Sequence, residues 1–303
     1  MIVRLVSVSP DEYSILFPNP STVFASAHFN CLNAEKVEKL LFIVGFDSSN
    51  HPEMGIAIGL RDGIWRAPFS APMAPLTWQK NISIESVQAF FKLLKELLAP
   101  IPIRITLPPY FIEESLLAKI SGTLLNMASE ITADFNYHYQ LSLFPNFENH
   151  LNRAARKNYR QALKANFSFE KTDLERAYNI IAANRSSKGY YLAMSLDNLI
   201  STATCINIDS FILSLDNNDV AAAIVYHITP DIAHVVYWGD YPGFEQKRPM
   251  NILPFHIFKH YHQLGFKIVN IGTSSTDGIP NIGLCNFKES LGCTTSTIIS
   301  ATI

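Results

Sequence analysis

Short apolar runs bounded by polar and turn residues recur along the chain: IVRLVSV (2–8), LLFIVGF (40–46), MGIAIGL (54–60), IPIRITL (101–107) and YHYQLSLF (137–144) in the first half. Each has the length and composition of a strand. Between them apolar positions fall at helical spacing. SIESVQAFFKLLKELLAP (83–100) places Val87, Phe90, Phe91, Leu94, Leu97 and Leu98 on one face, with Ser83 or Ser86 as cap and Pro100 as stop. Ser9-Pro10 opens a first helix, residues 22–40 predict a second, and 113–130 another, while IWRAPF supplies a short strand. The second half follows the same order. A helix is predicted over 147–166, a strand over 167–172 and a helix over 173–187. A three-strand meander follows (209–216, 220–228, 232–239), then a helix (250–265), a strand (266–272), a short helix (281–293) and a final strand. Two halves of like order predict two mixed α/β domains, 1–145 and 146–303, dividing at Pro145-Asn146.

Composition narrows the class. Of 303 residues, 48% are apolar and 17% charged, which suits a packed enzyme-like chain rather than a disordered one. The net charge of −2 draws the chain neither to nucleic acid nor to a membrane, so any basic site is local. Four cysteines without a C-x-x-C pair indicate neither a zinc site nor a redox dithiol, and a reduced, cytoplasmic setting is expected. No apolar run has the length of a membrane span, and the N-terminus lacks the features of a signal peptide.

The local basic site is conspicuous. Arg153, Arg156, Lys157, Arg160 and Lys164 fall on one arc of the 147–166 helix, roughly 100° wide, with no acid between Asn149 and Phe169. Like charges so arranged repel, and phosphates are their usual partners. The competing reading is a solvated face neutralised from elsewhere in the fold. A second candidate is the junction YPGFEQKRPMN (241–251), between the end of a strand and the start of a helix. Free N–H groups at that start, with Lys247 and Arg248, suit a phosphate, and a splayed strand there exposes N–H groups that polarise a carbonyl. The competing reading is a plain turn around Pro242-Gly243. Asp240, Tyr237, Tyr241 and His256 are candidate proton acceptors. NRSSKGYY (184–191) sets Arg185, Lys188 and Tyr190 in a loop that lines a cleft or merely turns. His256 and His260 have i, i+4 spacing but no third ligand, so no metal site is assigned. Neither a Ser/His/Asp order nor H-E-x-x-H occurs.

A meander, a helix ending in QLGF, the strand IVNIGTSS and then Asn281, Gly283, Leu284, Phe287, Lys288 and Gly292 in N-x-G-L-x-x-F-K-x-x-x-G together resemble the Fem-type peptidyltransferases and their GNAT acyltransferase relatives. The resemblance implies two tandem GNAT-like domains, each a mixed sheet flanked by helices. It implies transfer of an acyl or aminoacyl group to an amine, including work on cell-envelope precursors, with acyl-coenzyme A or aminoacyl-tRNA as donor class. A small-molecule or peptide-like amine is the implied acceptor, and tRNA or a nucleotide-linked molecule the implied larger ligand. Lys288, Asp240 and Tyr237 are then the catalytic candidates, with Lys288 steadying an oxyanion or a phosphate. Arg153, Arg156, Lys157, Arg160, Lys164, Gln246, Lys247, Arg248, Asn251 and Asn281 are the phosphate- or substrate-binding ones. The glycine loop Q/R-x-x-G-x-G/A of coenzyme A users is replaced here by Gln246-Lys247-Arg248-Pro249-Met250-Asn251, where proline removes an N–H donor and asparagine adds bulk. That departure leaves a non-catalytic binding protein for a phosphorylated ligand as the rival expectation.

Overall fold

The computed structural model describes residues 1–79 and 82–303, which divide into two compact units. The first comprises Met1–Phe135, Asp277–Ile279 and Ser296–Ile303, and the second Asn136–Thr276 and Pro280–Thr295. The division therefore falls at Phe135/Asn136 rather than at 145, and the chain's last strand belongs to the first unit instead of the second. Among the described residues no helix is long and apolar enough to cross a membrane.

In the first unit β1 (Ile2–Val8), β2 (Lys39–Asp47), β3 (Pro52–Arg61) and β4 (Ile64–Ala67) form an antiparallel meander, with β5 (Leu76–Trp78) on β3. Helix α1 (Pro10–Leu16) starts as its sequence predicts, Ser9 accepting from the Glu12 N–H and Pro10 taking the first position. The helix predicted over 22–40 is broken. Only α2 (Ala27–Leu32) is α-helical, capped by Ser26, and short 3-10 turns flank it. Ser26 is extended and caps α2, and the buried Asn30 amide donates to the carbonyls of Phe24 and Ser26, each at 2.8 Å, fastening the turn before it. Helix α3 (Ile84–Leu98) buries Val87, Phe90, Phe91, Leu94 and Leu98, while Leu97 is exposed. It leads to β6 (Ile103–Thr106), parallel to β4, and then to α4 (Glu114–Met127).

The second unit repeats the plan. Helices α5 (Phe147–His150) and α6 (Arg153–Leu163) precede β8 (Ser168–Lys171), with β7 (Glu130–Gln140) before them in the chain. Then come α7 (Leu174–Ser187), α8 (Leu196–Thr202), β9 (Ile208–Leu215), β10 (Asn218–Thr229), β11 (Ile232–Asp240), α9 (Pro249–Gln263), β12 (Ile268–Thr273) and α10 (Ile282–Ser290). Strands β8 to β11 form the antiparallel meander, and β12 runs parallel to β11. The closing strand of each sheet comes from the other half of the chain. Residues 136–140 of β7 pair antiparallel with β12, and β13 (Thr294–Thr302) pairs antiparallel with β6. The core of this unit lies between α9, α6 and one sheet face, where Tyr139 stacks on Phe258 at 4.2 Å and Phe211, Val225, Ile257 and Tyr261 are buried.

Candidate functional site

The feature that opens a site in the second unit is where β11 and β12 part. Their pairing covers only Ile232↔Ile268, Ala233↔Val269 and His234↔Asn270. Beyond His234, β11 continues for six residues to Asp240. One extra residue, Val236, bulges against β10, since Ile224 faces Tyr237 while Val225 faces Val235. A bulge twists its strand and re-aims the side chains after it. Tyr237 then points toward α7, and Trp238 toward α10, where its ring meets Phe287 edge-on at 6.1 Å.

Helix α7 delivers its last turn to the end of β11. The buried Asn184 donates through Nδ2 to the Asp240 carbonyl at 2.6 Å and to its carboxylate Oδ1 at 2.9 Å. Gly239 makes that approach fit, because a Cβ there would lie 2.7 Å from the Asn184 amide. The Lys188 ammonium donates to the same Oδ1 at 3.2 Å. Asp240 is buried, yet its Oδ2 has no partner among the described residues. The Tyr237 phenol is pushed up by burial, while the Met194 backbone N–H and the Arg185 cation hold it down. The sequence singled out Asp240 and Tyr237 but missed Asn184. The only trace of it was a glycine next to an acid at a strand end, opposite a helix.

Lys288 lies against the other strand. It is 2% exposed, and its ammonium donates to the carbonyls of Gly272 at 2.8 Å and Thr273 at 2.9 Å, with the Tyr137 ring 5.6 Å away. Burial lowers its pKa to about 8, so it remains a cation at neutral pH. The buried His234 is pushed down to about 4 by burial and by the Lys288 charge, and Asn270 donates to its ring Nδ1 at 3.0 Å. The ammonium expected to face an oxyanion or phosphate is thus engaged with the end of β12, and neither Asp240 nor Tyr237 is among its partners. Helix α10 does not bury its apolar residues alone. Cys285, Lys288 and Leu291 are buried, and Leu284 is exposed. The carbonyls of Gly272 and Thr273 at the end of β12 take their donor from the turn of α10 that buries Lys288.

The basic residues are real but unequal. Residues 147–166 are two helices, because Asn152 caps α6. Arg156 is not available to a ligand: its guanidinium donates to the carbonyls of Glu148 (3.0 Å), Asn149 (3.1 Å) and Leu151 (3.0 Å), bracing the turn. Arg160 pairs with Glu148. Arg153, Lys157 and Lys164 are exposed, and their side chains have no hydrogen bond or ion pair among the described residues. Together with Gln161 these side chains line a shallow concavity, and Gln161 donates to the Gln246 carbonyl at 3.1 Å, tying α6 to the turn before α9. In that turn Gln246, Lys247 and Arg248 are exposed. Arg248 adopts φ +62°, a left-handed conformation that an arginine rarely holds, and α9 has no side-chain cap. Asn251 donates its N–H to the Arg248 carbonyl at 3.0 Å. Asn281 is a helix cap, its side chain accepting from Leu284 N at 3.1 Å, which occupies the group assigned to a ligand. His256 stacks on Phe169 at 4.8 Å and burial lowers it to about 4; among the described residues no group of three His, Cys, Asp or Glu is arranged to hold a metal.

Neither a protein-family model nor a curated protein matches this sequence. Solved structures do match in fold. FemX superposes with a TM-score of 0.66 at 10% identity, over 98% of this chain and 97% of that one. L-PGS from Bacillus licheniformis gives 0.60 at 11% identity over 97% and 92%. A tandem GNAT protein from the clavulanic acid biosynthesis pathway gives 0.55 at 11% identity over 99% and 98%. The chain therefore has a mixed α/β fold similar to that of FemX, L-PGS and the tandem GNAT protein.

Proposed function

We propose that the chain transfers an acyl or aminoacyl group to an amine at the open end of β11 in the second unit. The observation that supports this reading is the six-residue run of β11 beyond its last parallel pair, ending in a buried carboxylate with one free oxygen. Backbone N–H groups of a strand without a neighbour on one side are positioned to polarise the donor's carbonyl. The amine nitrogen attacks the carbonyl carbon, and Asp240 Oδ2 takes the proton that the nitrogen must lose. The bond from carbonyl carbon to the donor's sulfur or oxygen then breaks, and the leaving group departs with that proton. Asn184 fixes the carboxylate, and Tyr237 lines the approach. Lys288 has a positioning role, holding the end of β12 in place.

Acyl-coenzyme A and aminoacyl-tRNA are the donor classes this fold suggests. The experiment is a cross-panel of both donors against amines, read by mass spectrometry for the new amide. Asp240→Asn is expected to lower kcat by roughly 10²- to 10⁴-fold with donor binding retained.

One observation favours a second reading, a protein that grasps a phosphorylated ligand without chemistry. Pro249 and Asn251 stand where the loop of a coenzyme A user has glycines, while Arg153, Lys157 and Lys164 stay open on α6. Thermal stabilisation by phosphorylated ligands, with no amide formed from any donor, would select it.

A further inference from the structure

Arg185 is an unsatisfied cation. Its side chain is half-buried, its Nε is fully buried without a partner, and its guanidinium makes no hydrogen bond or ion pair among the described residues. The group is held rather than loose: it sits 5.9 Å from the centre of the Tyr237 ring and 6.0 Å from that of Tyr190. Nη1 and Nη2 are not closed off as Nε is, so the outer edge of the guanidinium faces open space beside the candidate site with its donors unpaired among the described residues. Arg185 shares the last turn of α7 with Asn184 and Lys188, the two residues that hold Asp240.

We propose that Arg185 binds a carboxylate on the amine acceptor, which makes the acceptor an amino acid or a peptide with a free carboxyl group. This rests on the acyl-transfer reading for the word acceptor, but the carboxylate site stands on its own geometry. A guanidinium offers a planar fork that matches a carboxylate in two parallel bonds. Position favours carboxylate over phosphate. The fork lies beside Asp240 and at the negative end of α7, both of which repel the second negative charge of a phosphate dianion more than the single charge of a carboxylate. The ammonium of the same ligand has Asp240 Oδ2 as its acceptor. Tyr237 and Tyr190 wall the fork, and Tyr190 and Tyr191 are exposed at 55% and 87%, free to cover a bound ligand.

The test compares amino acids and short peptides with their carboxamides, which keep the shape and lose the charge, and with phosphomonoesters of similar size. Binding to the full chain is read by calorimetry and thermal shift. At least one acid is expected to bind roughly tenfold or more tighter than its amide. Arg185→Met should erase that ratio and raise Tm by roughly 2–4 °C, since a buried unpaired donor is removed. Arg185→Lys keeps the charge without the fork and should fall between. The proposal fails if no acid binds up to about 10 mM, if amides bind as well as acids, if phosphomonoesters bind tighter, or if Arg185→Met leaves the ratio intact. Acid selectivity without amide formation would leave the carboxylate site standing and defeat the transferase reading. Equal kcat/KM for amines lacking a carboxylate would do the reverse.

Discussion

The two units build one plan twice and finish it differently. In the first, β4 pairs with β6 through Trp65↔Ile103, Arg66↔Arg104 and Ala67↔Ile105, and the strand ends there, before Pro68. In the second, β11 pairs with β12 through the same number of residues and then runs on to Asp240. The helices that follow differ likewise. Helix α3 is closed by its own residues: Ser83 accepts from the Ser86 N–H, and Glu85 supplies a negative charge to the first turn. Helix α9 has no side-chain cap, and Lys247 and Arg248 precede it. The first unit has spent its strand edge and helix end on stability, while the second keeps both open. An open end is poor for folding and useful for a ligand, which is why the site is assigned to the second unit.

The comparison breaks first at Lys288. Its folded pKa of about 8 lies below the ordinary lysine value of 10.5, so the unfolded chain binds the proton more tightly. Stability then rises with pH between about 8 and 10.5, and the penalty of holding the cation is fully present below pH 8. Urea titrations should show wild type gaining up to about 3 kcal/mol across that window relative to Lys288→Met, which lacks the titration. At pH 7 Lys288→Met also leaves the carbonyls of Gly272 and Thr273 without this donor, so the two effects oppose, and only the pH series separates them. A flat difference curve would mean that the ammonium is not held in the site.

The α6 cations sharpen the contrast between structural and available charge. Arg156→Ala should cost about 1–3 kcal/mol, because three carbonyls lose a charged donor. Lys157→Gln, on the same helix, should change stability by no more than about 0.5 kcal/mol. Equal losses would show that the stripe acts as one structural unit. The smallest pair compares the helix ends directly. Ser83→Ala should cost about 1 kcal/mol by removing a cap. Arg248→Gly should gain about 0.5–1 kcal/mol, since glycine holds the left-handed conformation without strain. A loss at Arg248 would mean that its side chain is needed for the fold, and the open helix end would lose its motive.

Local chemistry made much of this legible. Strand and helix order was correct wherever a long apolar run or a strong cap decided it, as at β1, α1, α3, β9 to β12 and α10. It failed where polar side chains compete with the backbone. Ser26 and Asn152 cap new helices inside predicted ones, and the capped helix α8, only seven residues long, went unseen. The start of β7 was also missed, although Glu130–Phe135 alternates polar and apolar residues as a half-buried strand does.

The sequence determined which residue types were available: a carboxylate and a tyrosine at a strand end, five cations on one helical arc, and one lysine among small and apolar neighbours. Those follow from periodicity and composition, which act within a few residues. Tertiary structure decided what each one does. It aimed Lys288 at two carbonyls, took Arg156 for a turn, made Asn281 a cap, and set Asn184 against Gly239 to hold Asp240 while leaving Arg185 unpaired. The pairing of Asn184 with Asp240 joins residues 56 apart and Lys288 reaches 15 and 16 residues back, so both are fixed only when the strands and helices are packed. Arg156 and Asn281 bond within eight residues, but which carbonyl or N–H is left open to them depends on where the helices end.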